Sequence, residues 1–130
     1  MSQKIAIVGS GFLGMTLALR LAEEGNDVTL FCAGTNGLLA MEDILGAGAV
    51  INELEQIGEF SADSDAALVA SRLFREARND LPAALGESCG GRNVIAAGLE
   101  PDIEFAARLN SLNVVGSISG DPPIVRRWVP

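Results

Sequence analysis

The chain contains no histidine and no tyrosine, only two cysteines, and 5% aromatic residues in 130. Without histidine it cannot build a Ser-His-Asp triad, a Cys-His pair or a His-based zinc site, and it has no imidazole general base. Without tyrosine it lacks the Tyr-Lys proton donor used by short-chain dehydrogenases. Catalysis must then draw on a bound cofactor, carboxylates, backbone dipoles or residues of another chain. Cys32 and Cys89 are too few for a disulfide framework, which points to a reducing, cytoplasmic setting. They form no Cys-x-x-Cys, and no carboxylate cluster has the spacing of metal ligands, so no metal is expected.

Positive charge is also scarce, and unevenly so. Nine basic residues face seventeen acidic ones, a net charge of −8. Residues 1–65 hold Lys4 and Arg20 against ten acids, whereas residues 66–130 hold seven of each sign. No base occurs between Arg20 and Arg72. Phosphate neutralisation needs a basic surface, so nucleic acid is not an expected partner. Long apolar runs are missing too. Ile5 to Leu19 is uncharged but too short to span a membrane, and its glycines together with Arg20 argue against a signal peptide. No membrane partner is expected.

What is present is apolar residues at 48%, rich in Ala, Gly, Leu and Val, in a length suited to one domain. Lys4 to Val8 reads as a short buried strand. From Phe12 to Glu24 the period is helical, with Gly14, Ala18 and Ala22 on one stripe and Leu13, Leu17 and Leu21 beside it. Gly25-Asn26 stops that helix, and Val28 to Phe31 reads as a second strand, giving a right-handed β-α-β unit with a parallel pair. Residues 33–37 are a loop by composition. Leu38, Met41 and Leu45 suggest a short helix, while 50–57 suits either a helix or a poor strand. Asp63 or Ser64 caps a helix with Ala66, Ala70, Leu73, Phe74 and Ala77 on one face. Cys89-Gly90-Gly91 reads as a turn, Val94 to Ala97 as a third strand, Pro101 to Leu109 as a helix, and Val114 to Gly116 as a fourth strand. The alternation predicts an α/β fold, an open doubly wound parallel sheet in a single domain over 1–130, with residues 121–130 as an extended tail.

One motif carries chemistry. Gly9-Ser10-Gly11-Phe12-Leu13-Gly14 is G-x-G-x-x-G between a predicted strand and a predicted helix. Gly9 permits the tight turn, Gly11 a close approach to a diphosphate, and Gly14 close packing of helix on strand. The helix N-terminus would present free N–H groups to the anion. Ala18, Leu21, Gly25 and Val28 fall where the extended fingerprint expects them.

On these residues, Lys4 to Phe31 resembles the N-terminal ADP-binding unit of Rossmann-type oxidoreductases. It is similar to the flavoprotein monooxygenase and amine oxidase group and to ketopantoate reductase-like NAD(P)-binding domains. The resemblance implies binding of FAD, with NAD as the alternative and NADP less favoured, by Gly9, Ser10, Gly11, Phe12, Leu13 and Gly14. It also implies a ribose-binding acid at the end of the second strand, where this chain has Cys32. A thiol is a poor replacement acceptor. The expected function is the dinucleotide-binding domain of an FAD- or NAD-dependent oxidoreductase. The alternative is a non-catalytic or truncated nucleotide-binding module that forms a homo-oligomer or needs a catalytic partner subunit. No catalytic residue can be named; Gly98 and Ser117 to Gly120 follow predicted strand ends, where open α/β sheets place ligands.

Overall fold

The computed structural model describes residues 4–8, 27–58, 62–112 and 116–127. Strand β1 (Lys4–Val8) pairs in parallel with β2 (Asp27–Phe31), in a register that sets Lys4 opposite Asp27 and Val8 opposite Phe31. The chain therefore leaves both strands on the same edge. Helix α1 (Met41–Ile57) follows, then α2 (Asp65–Ala77), α3 (Leu81–Glu87), α4 (Cys89–Ala96) and α5 (Glu100–Ala106). Strands β3 (Gly116–Ser119) and β4 (Ile124–Arg127) close the described chain as an antiparallel hairpin.

The core lies where α1 packs on α2. Residues 41–57, only half read as helix from the sequence, form one continuous helix that buries Leu45, Ala47, Ala49, Val50 and Leu54. Gly48 lets the two axes meet, because a Cβ there would run into the Ala70 carbonyl and the Phe74 side chain. Phe74 joins Ala49 and Leu81 in a buried cluster flanked by Ala77 and Ala107. The Ser64 hydroxyl caps α2 by accepting from the Ala67 N–H at 3.2 Å. A polar clasp closes the pair: Glu55 of α1 accepts from the Ser71 hydroxyl, at 3.3 Å, and from the Arg75 guanidinium. Ser71 is fully buried, so this bond satisfies a group that would otherwise be costly to enclose.

The third expected strand, Val94 to Ala97, is helical instead, lying in and just after α4. A short apolar run does not distinguish strand from helix, and the local signal that decides it is Ser88. Its buried hydroxyl accepts from the Gly91 N–H at 2.8 Å and starts the helix through the Cys89-Gly90-Gly91 segment expected to be a turn. Those glycines serve packing. A Cβ on Gly90 would strike the Glu42 carboxylate, and one on Gly91 the Leu85 carbonyl. Val114 and Val115 of the fourth expected strand lie outside the described residues, and Gly116 opens β3 in an antiparallel pair.

Candidate functional site

Open α/β sheets place ligands beyond the carboxyl ends of their parallel strands. At the end of β2 the chain enters Cys32-Ala33-Gly34-Thr35-Asn36-Gly37-Leu38. Thr35 and Leu38 exchange both backbone hydrogen bonds, each at 3.0 Å, around Asn36 (φ 53°) and Gly37 (φ 74°). Two successive positive φ values are what a tight primed turn requires, and Asn-Gly is the pair that adopts them most readily. Gly34 is also left-handed, with φ 72°, and a Cβ there would collide with the Leu38 carbonyl.

The turn is anchored to the first turn of α1. The Asp43 carboxylate accepts the Gly34 N–H at 2.7 Å, and the Asp43 carbonyl accepts the Cys32 thiol at 3.6 Å. Partial burial, and then the charge of Asp43, push the Cys32 thiol pKa up. Beside it, Glu42 packs its carboxylate on Gly90 of α4, leaving Oε2 buried without a hydrogen-bond partner among the described residues. Ala40, the residue before α1, supplies no side-chain cap. The α1 N-terminus thus lacks a cap of the kind Ser64 and Ser88 supply, and it carries the positive end of a long helix dipole. Such an end suits an anion. A cleft of about 1200 Å³ runs from the loop between β2 and the helices, but Val28, Leu30, Ala47, Ile51 and Leu54 wall much of it with apolar groups. Its polar lining also includes Asp27, Thr29, Glu55, Asp63, Ser64 and Asp65.

Of the residues expected to bind cofactor, Gly9, Ser10, Gly11, Phe12, Leu13 and Gly14 lie outside the described residues. Cys32 is described, is exposed, and turns its thiol to the Asp43 backbone. Gly98 ends α4 with φ 74°, and Ser117 to Gly120 belong to the antiparallel hairpin. Neither group follows a parallel strand, so the argument that singled them out does not apply. Asp43, which from the sequence reads with Glu42 as a solvated helix charge, is instead fixed to the loop by accepting the Gly34 N–H. The available signal was its place a few residues after a Gly-Thr-Asn-Gly turn that needs a fixed N–H acceptor.

The family model for 2-phosphosulpholactate phosphatase matches residues 2–121. This chain belongs to the 2-phosphosulpholactate phosphatase family. It is 32% identical over 99 residues to a protein of Thermotoga petrophila described as a probable 2-phosphosulfolactate phosphatase, covering 76% of this chain and 42% of that one. The identity and coverage are the same for a protein of the same description from Thermotoga maritima. A third, from Carboxydothermus hydrogenoformans, is 33% identical over 114 residues, covering 88% of this chain and 47% of that one. The chain thus spans less than half the length of these relatives.

The match overturns the oxidoreductase reading, and with it FAD and NAD as cofactors. A phosphatase family takes the place of the Rossmann flavin- and NAD-binding families. A glycine-rich pattern after a β-rich run occurs in sequences of unrelated chemistry. Cys32 in place of the ribose-binding acid was the residue that disagreed. Among the described residues no helix is long and apolar enough to cross a membrane, and no group of three or more Cys, Asp or Glu is arranged to hold a metal ion.

Proposed function

We propose that this chain forms part of a phosphomonoesterase that hydrolyses 2-phosphosulfolactate, with the loop from Cys32 to Leu38 and the N-terminus of α1 as its phosphate-facing surface. The family match over residues 2–121 carries the reading. In this reaction water adds to phosphorus, the ester P–O bond breaks, and the leaving alkoxide of sulfolactate takes up a proton from that water to become a hydroxyl. The substrate brings phosphate, sulfonate and carboxylate together. With no base between Arg20 and Arg72, this surface meets that charge through backbone N–H groups and the α1 dipole. Asp43 is a positioning residue: it sets the loop on α1 and leaves the turn's outer face open. Cys32 is given no role as nucleophile: its thiol donates to the Asp43 carbonyl, and partial burial with the Asp43 charge pushes its pKa up.

The test is release of inorganic phosphate from 2-phosphosulfolactate, compared with a phosphorylated hydroxy acid lacking the sulfonate. The expected result is preferential hydrolysis of the sulfonated ester. Asp43→Ala should lower kcat/KM roughly ten- to a hundredfold, the equivalent of a charge-assisted hydrogen bond of about 1.5–3 kcal/mol. An absence of phosphate release overturns the function. Release that is indifferent to Asp43→Ala overturns the site.

A further inference from the structure

Two locally unfavourable arrangements meet at one point of the described chain. Glu42, in the first turn of α1, has its Oε2 buried with no hydrogen-bond partner among the described residues. Gly90, in the first turn of α4, costs backbone entropy that alanine would not cost in a helix. The two are in contact, since a Cβ on Gly90 would overlap Oε1 and Cδ of Glu42. Folded chains break such local rules chiefly where a functional arrangement has to be held.

Both sides of the contact are anchored. Helix α4 is a fixed platform: the buried Ser88 hydroxyl accepts the Gly91 N–H at 2.8 Å, and Gly91 lies so close to the Leu85 carbonyl of α3 that a Cβ would collide with it. On the other side, Glu42 adjoins Asp43, whose carboxylate accepts the Gly34 N–H at 2.7 Å and whose carbonyl accepts the Cys32 thiol. Ala40 gives this end of α1 no side-chain cap. A contiguous path thus runs from Gly90 through Glu42 and Asp43 to Gly34 and the turn at Asn36-Gly37. Displacement along it matters, because a misplacement of about 1 Å in a group that orients substrate can cost roughly a hundredfold in rate.

We propose that Glu42 is a positioning residue, whose side chain, seated on Gly90, fixes the first turn of α1 and through Asp43 the loop from Cys32 to Leu38. The consequence for phosphate binding rests on the proposed function. The coupling from Gly90 to Cys32 does not.

The full chain in a Cys89→Ser background gives two readouts: the rate at which iodoacetamide alkylates Cys32 in folded protein, and kcat and KM for phosphate release from 2-phosphosulfolactate. Gly90→Ala should raise the alkylation rate severalfold and KM roughly tenfold, with kcat changing less, because the loop is displaced where it meets phosphate. Gly86→Ala of α3, whose added methyl would meet Ile95 Cδ1 at an ordinary 3.7 Å, should change neither. Both substitutions raise helix propensity, so a merely structural role predicts one result for the two. Adding Glu42→Asp to Gly90→Ala draws the carboxylate back by one methylene and should return both readouts toward the parent. Glu42→Ala, which needs no extra room, should speed alkylation of Cys32 as well, and far-UV circular dichroism checks that each variant is folded. Alkylation unmoved by Gly90→Ala and Glu42→Ala, or moved equally by Gly86→Ala, overturns the proposal. So does a double variant no closer to the parent than Gly90→Ala alone. A parent that releases no phosphate while the alkylation pattern holds overturns the phosphatase reading and leaves the positioning role standing.

Discussion

In the α1–α2 pair, Val50 and Ser71 are sealed from water, Phe74 is 3% exposed, and the half-buried Glu55 carboxylate accepts from both Ser71 and Arg75. From Leu99 to Arg127 the chain also carries large apolar groups, yet Phe105 is 51% exposed, and its charges form no ion pair among the described residues. The two regions differ little in composition and much in what surrounds each residue. Small residues explain the contrast. Ala47, Gly48, Ala49 and Ala70 let the α1 and α2 backbones approach until their larger side chains interdigitate. Helix α5, seven residues long, has no such stripe and packs on the comparably short α3 and α4. The packed pair carries stability, and the open segment carries surface.

The contrast is broken most directly by truncating one phenylalanine on each side. Phe74→Ala should lower unfolding free energy by about 3–5 kcal/mol, the transfer and cavity cost of a buried ring. Phe105→Ala should cost about 1 kcal/mol or less, since the ring is half exposed and its described aromatic interaction is with the Arg108 guanidinium, 5.9 Å from its centroid. Urea unfolding of each variant reads the two losses. Equal losses would remove the distinction between the regions.

A smaller effect tests whether polar groups take part in the packed half. Glu55→Ala strips the fully buried Ser71 hydroxyl of its acceptor and frees Arg75, and should destabilise by about 1–3 kcal/mol, the cost of an unsatisfied buried group. Ser71→Ala alone should cost less, because Glu55 keeps Arg75. If both changes are silent in urea unfolding, burial of apolar surface alone accounts for the pair.

The sequence shows these regions unequally, for local reasons. Helix α2 is legible because Ser64 and the spacing of Ala66, Ala70 and Phe74 declare a cap and a face in one short window. The parallel strands are legible as β-rich runs, one ending in glycine. Residues 94–97 are not, because Val-Ile-Ala-Ala satisfies both periods and its decisive cap lies six residues earlier, before two glycines that imitate a turn. The site is half visible. Asn36-Gly37 announces its turn, and Cys32 marks a departure from the dinucleotide fingerprint. The clamp itself joins Gly34 to a carboxylate nine residues on, across a change from loop to helix that no periodicity encodes.

The smallest effect decides to which side of the contrast the loop belongs. Cys32 is an exposed residue whose thiol nonetheless has a raised pKa, first from partial burial and then from Asp43. A pKa higher in the folded state than in the unfolded one means that folded protein holds less thiolate at a given pH. The linked stability is fully present below the unfolded pKa and lost as pH rises through the folded one. In a Cys89→Ser background, iodoacetamide should therefore alkylate Cys32 more slowly in folded protein than in urea, with the difference closing as pH climbs past the folded value. Asp43→Asn removes the second cause and keeps the first, so it should recover only part of the rate. Folded and unfolded protein reacting alike at every pH would show that Asp43 does not hold the loop, and would group Cys32 with the uncovered surface of the C-terminal segment.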